Sequence, residues 1–155
     1  MNKLKILNKN EKEEIIERLN KQFGIEKVEG IILKRGTERL FLYNGNLSAK
    51  QIEKLEKAVT IERVGVYFAK LIPGENKIRL SIEGTQLLKN QIKKNIFELK
   101  DEQVEQWMKG QELNIRVEQQ GFLVIKYKEN FLGCGKASAE KISNFIPKSR
   151  RLKEK

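Results

Sequence analysis

The chain has 155 residues, 32 Lys and Arg against 21 Asp and Glu, a net charge of +11, no histidine and one cysteine. Missing histidine removes the commonest general base and metal ligand, and a lone cysteine rules out an intrachain disulfide or a Cys/His zinc site. The length suffices for a real core, no apolar run reaches membrane-spanning length, and the opening residues lack the apolar core and cleavage site of a signal peptide, so a cytoplasmic protein is expected.

Asn10 with Glu13 reads as a capping box opening a helix, with Ile15, Ile16, Leu19 and Phe23 on one face. Val28 to Leu33 and Arg39 to Tyr43 are β-rich runs around an Arg35-Gly36-Thr37 turn, and Asn44-Gly45 closes the second. Ser48 with Gln51 opens another helix that buries Ile52, Leu55 and Val59, and Val64 to Leu71 is the next strand. This α-β-β-α-β unit predicts a small α/β domain over residues 1–72, ended by Pro73-Gly74.

Beyond Pro73 the pattern changes, and a second domain over 73–155 is expected. Ile78, Leu80 and Ile82 alternate with polar residues as a half-buried strand. Gly84 to Lys94 fits a short helix with Lys89, Lys93 and Lys94 outward, and Asp101 to Gly110 a second, with Val104, Trp107 and Met108 on its inner face. Leu113, Ile115 and Val117 alternate as a strand, Gln120-Gly121 turns, and Phe122 to Tyr127 is a further strand. Short strands with few helices in about 80 residues point to a small open barrel, so the fold class is α+β.

The last part is the most informative. A turn at Lys128-Glu129-Asn130 leads into Phe131-Leu132-Gly133-Cys134-Gly135-Lys136-Ala137. Two glycines one residue apart in a strand mark a bulge or the close approach of another backbone or a ligand. From Lys141 to Lys155 six basic residues face only Glu154, and such a surface binds phosphate backbones by counterion release.

The glycine run resembles the end of a PUA domain, an RNA-binding module, and Asn144 to Arg151 is similar to the PUA-like tails of RsmF-type RNA cytosine-5 methyltransferases. The resemblance covers roughly Pro73 onwards and implies a stand-alone, archaeal-type relative with a pre-PUA-like α/β domain before a PUA-like open β-barrel. It also implies RNA lying against the glycine strand and the Gly84–Lys94 helix. The matching positions are Gly84, Gly133, Gly135, Lys136 and Ala137, with Lys89, Lys93, Lys94, Lys148, Arg150 and Arg151 supplying charge. The methyltransferases use paired catalytic cysteines and a methyl-donor domain. Cys134 lies alone between glycines and about 72 residues cannot hold that domain, so the likeness carries RNA binding without catalysis, and no cofactor or metal is expected.

The expected function is thus non-catalytic recognition of structured RNA, rRNA or tRNA, in ribosome biogenesis or RNA modification. The alternative is a protein-interaction adaptor, or an accessory subunit of an RNA-modifying enzyme, in pre-ribosome assembly. Ribosome-assembly or RNA-modification proteins are its further expected partners, and a membrane is not one.

Overall fold

A computed structural model describes residues 4–59, 61 and 64–153 of the chain. Two sheets organise it. Strands β1 (Leu4–Ile6), β2 (Ile31–Arg35), β3 (Arg39–Tyr43), β4 (Val66–Ile72) and β5 (Lys77–Leu80) form an antiparallel sheet in chain order. Strands β6 (Ile96–Glu98), β7 (Gly121–Tyr127), β8 (Asn130–Ala137) and β9 (Ile142–Asn144) form a second sheet, in which β6 runs parallel to β7 and the other pairs are antiparallel. The chain is thus a mixed α/β protein with two sheets.

Helix α1 (Lys9–Phe23) starts at Asn8, whose side chain accepts from the Glu11 N–H while Glu11 reaches back to the Asn8 N–H. The capping box therefore sits two residues before the Asn10–Glu13 pair expected. Asn8 and Glu11 have the same spacing, and Glu11 gains an ion pair with Lys5 at 2.7 Å. The helix ends at Gly24, which takes the left-handed conformation (φ +80°) and donates to the Asn20 carbonyl. Helix α2 (Ala49–Ala58) opens on the expected Ser48–Gln51 box and buries Ile52, whereas Leu55 and Val59 stay exposed.

Pro73-Gly74, the expected division between two domains, lies in the turn of the β4–β5 hairpin. Strand β5, read as the opening of the second domain, belongs to the first sheet. Its outer edge is covered by α1: the Gln22 amide donates to the Ile78 carbonyl at 3.0 Å and accepts from the Ile78 N–H at 2.7 Å. A buried side chain here does the work of a sixth strand.

Helix α3 (Ile82–Leu87) is shorter than the helix expected over Gly84–Lys94, which splits into α3 and a 3-10 turn at Lys89–Gln91. The following stretch is tied to the end of α1. Gln91 bonds the backbone of Glu26 and Lys27, and the Lys93 N–H donates to Phe23 at 2.8 Å. Helix α4 (Asp101–Met108) matches its expected position and buries Trp107 completely. Residues 113–117 form no strand despite their alternation. Leu113 alone bridges to Ile142, on the edge of β9 opposite to the one paired with β8. Strands β1, β6 and β9, each of three residues, carry too short a pattern to be read from sequence.

One buried cluster joins α1 and the inner face of the first sheet (Leu19, Phe23, Leu40, Phe68, Ile78) to Phe122, Val124, Phe131 and Cys134 of the second. Another packs Trp107, Leu123, Ile125, Ile142 and Ile146 on the opposite face of β7 and β8. A third lies between the outer face of the first sheet and α2, around Leu33, Phe41 and Ile52. Successive β7 residues thus serve different cores, which is why Phe122 to Ile125 is an unbroken apolar run.

Candidate nucleic-acid interface

The glycine strand β8 lies between β7 and β9, and its glycines do mark close approach. The approaching groups belong to the protein. Gly133 (φ +84°) donates its N–H to Thr85 Oγ1 at 3.0 Å, and a Cβ there would stand 3.1 Å from Ile82 Cγ1. At Gly135 a Cβ would stand 2.7 Å from Ile142 Cγ2 and 2.8 Å from the Trp107 ring. At Gly84 it would fall 2.0 Å from the Phe68 carbonyl oxygen. All three glycines and Ala137 are buried. RNA was expected to lie against this strand, but the Gly133 N–H is bonded to Thr85 and these four positions lie beneath the surface.

Cys134 is buried in the same strand, and burial pushes its thiol up to about 12. It stays protonated and is closed off as a nucleophile at neutral pH. Among the described residues no three His, Cys, Asp or Glu side chains gather where they would hold a metal ion.

The basic residues separate by what already holds them. Lys89, Lys94 and Lys148 are exposed and, among the described residues, have no carboxylate within ion-pair distance. Lys93 lies 3.9 Å from Glu26 and Lys136 lies 3.0 Å from Glu75, both at exposed pairs that contribute little. Arg150 pairs with Glu83 at the start of α3. Arg151 is different: its Nε donates to the Ile146 carbonyl at 2.8 Å and its side chain covers Gly110, so it clamps the C-terminal segment to the end of α4. The Leu152 N–H completes that clamp on the Met108 carbonyl at 2.8 Å. Lys155 of the basic ending lies outside the described residues.

The Arg150–Glu83 pair borders a cleft between the edge of the first sheet, strand β8 and the C-terminal segment. Tyr67, Arg79, Ser81, Gly133 and Phe145 line it. The Arg79 guanidinium lies 4.4 Å from the Phe145 ring centre. Phe145 meets Phe122 at 6.1 Å between ring centres, and Lys136 Nζ lies 5.3 Å from the Phe122 ring on strand β7. This alternation of cations and rings, half-buried at Arg79, Phe145 and Lys136 and buried at Phe122, links β5 of the first sheet to β7 and β8 of the second. Reading the sequence missed Arg79, Phe145 and Tyr67. The only signal was the polar phase of β5, where Lys77 and Arg79 alternate with Ile78 and Leu80.

Residues 94–152 match the family model of the methyltransferase RsmF PUA domain. That span holds β6 to β9 and α4, and it begins about twenty residues after Pro73, where the resemblance was expected to start. No curated protein matches the chain.

Proposed function

We propose, from the PUA domain of the RsmF type that residues 94–152 form, that the protein binds structured RNA, rRNA or tRNA, without catalysing its modification, in ribosome biogenesis or RNA modification. That domain is the observation that carries the reading, since a PUA domain is an RNA-binding unit. The small open barrel expected over 73–155 is the fold we assign to residues 94–152, on the support of the β6-β7-β8-β9 order and the Leu113–Ile142 bridge beyond β9.

The bonding pattern divides the labour. Lys89, Lys94 and Lys148, which have no carboxylate partner among the described residues, are placed to meet phosphates, and the carboxylate partners of Lys93, Lys136 and Arg150 form surface ion pairs that a phosphate can replace. The glycines, Ala137 and Arg151 hold the surface in shape. Shape and 2′-hydroxyl contacts dominate recognition of double-stranded RNA, whose deep groove side chains read poorly.

The test is binding of a folded tRNA and of rRNA fragments across a salt series. Lys148→Gln should lower the slope of log affinity against log salt by roughly one unit without changing thermal stability. Arg151→Gln should lower thermal stability, and its affinity loss should follow the unfolded fraction. Wild-type binding that is weak and indifferent to RNA structure overturns the reading. The adaptor reading then gains ground, and the exposed Leu55 and Val59, 46% and 53% accessible at the end of α2, are the observation that favours it.

A further inference from the structure

In an antiparallel sheet, directly paired residues of neighbouring strands project from the same face. The register of the first sheet pairs Arg35 with Arg39, Arg39 with Lys70, and Lys70 with Arg79. One row across four strands is therefore made of four cations. With strands about 4.8 Å apart, they span roughly 14 Å. The adjacent inward row, Lys34, Leu40, Ala69 and Leu80, is buried from Leu40 onwards, which places the cations on the other face.

An irregularity builds this row. From Phe41↔Tyr67, regular pairing would set Leu40 against Phe68 and Arg39 against Ala69. The register shift between Leu40 and Phe41 sets them against Ala69 and Lys70 instead. The bulge thus returns Ala69 to the core and brings a lysine beside two arginines.

Such a row is unfavourable for folding, since like charges directly opposite repel. Little in the protein compensates it. Lys70 has Glu38 at 3.4 Å, and among the described residues Arg35, Arg39 and Arg79 have no carboxylate within ion-pair distance. Arg39 lies 6.0 Å from the Tyr67 ring centre and Arg79 lies 4.4 Å from that of Phe145. Rings orient guanidinium planes without neutralising them.

We propose that this row is a second phosphate-binding track, along which the backbone of the RNA bound by the PUA segment crosses the five-stranded sheet. The inference rests on the RNA-binding function proposed above. Guanidinium groups meet phosphate oxygens through two parallel N–H bonds, so three arginines in line suit a polyanion better than scattered acidic side chains. The track also leads to the expected interface. Arg79 shares its cleft with Arg150, and through Phe145 and Phe122 it reaches Lys136.

The test uses the full chain and a folded tRNA transcript, titrated from low to moderate salt. Arg35→Gln/Arg39→Gln, at the end of the row away from the PUA segment, should lessen the salt slope by about 1–2 units, and adding Arg79→Gln by about one more. Affinity at low salt should fall at least tenfold for the triple variant. Melting temperature should hold or rise in the double variant, because repulsion is removed. A triple variant with the wild-type slope and affinity overturns the inference, leaves the PUA-based function standing, and points to an acidic protein surface as the partner of the row. A wild-type protein that does not bind the transcript overturns both.

Discussion

A methyl group on Gly135 would press on Ile142 and on the buried Trp107 ring at distances that real side chains do not tolerate. Gly135→Ala should therefore destabilise the protein by about 1–3 kcal/mol, the usual range for overpacking. It should read out as a lower urea midpoint at unchanged slope, with RNA affinity of the folded fraction unaltered. If affinity falls while the midpoint holds, a ligand visits this glycine after all. Cys134 makes a second residue-scale prediction. Its folded pKa of about 12 lies above the ordinary 9.0, so in alkali the unfolded state loses this proton first. The group's contribution to stability is complete below about pH 9 and is lost as pH rises towards 12. Cys134→Ala should lower stability at neutral pH yet flatten its decline between pH 9 and 11, as measured by urea unfolding at each pH. At this scale the sequence was half legible. Two glycines in a strand announced close approach, but the identity of the visitor depends on Thr85 and Ile82 at Gly133 and on Trp107 at Gly135, which lie 28 to 51 residues away in the chain.

At the scale of elements, local signals did well where they were self-contained. Ser48 with Gln51, the Phe122–Tyr127 run and the Asp101 helix all sit where their own residues place them. The failures came where a segment needed a neighbour. Leu113, Ile115 and Val117 alternate like a strand, yet only Leu113 finds a pairing partner. Ile78 and Leu80 alternate correctly as a strand, and periodicity could not say which sheet would take it. Gln22 settles that question, because its amide covers both main-chain groups of Ile78. Gln22→Ala leaves a buried N–H and a buried carbonyl unpaired and should destabilise by about 1–3 kcal/mol for each group. The Ile78 amide proton should then exchange faster with solvent than its neighbours do. An unchanged exchange rate there would mean that α1 leaves the edge of β5 already open.

Over the whole molecule, the two halves share a core, and Phe122, Val124, Phe131 and Cys134 pack in one cluster with α1 and the first sheet. Composition hinted at two units, and a turn at Pro73-Gly74 does exist. What the turn joins, however, is two strands of one sheet, and no local pattern distinguishes a hairpin turn from a linker. A fragment limited to residues 94–152 should accordingly fail to fold, showing a disordered circular dichroism spectrum or aggregation, whereas the full chain should melt in one transition. A cooperative transition in the fragment would show that the shared core is dispensable.

The shared core also has a consequence for synthesis. Residues up to Leu80 can pair their five strands as soon as they emerge, but the inner face of that sheet stays incompletely covered until Cys134 follows. At about 5–20 residues per second, that interval is about 3–11 s. During it the nascent chain carries a partly uncovered apolar surface, which α1 and then Leu88 and Ile92 shelter first. Whatever greets nascent chains in the cell meets this protein with one face of its first sheet still open, and the segment that matches the PUA model takes shape only when the last strands close over that face.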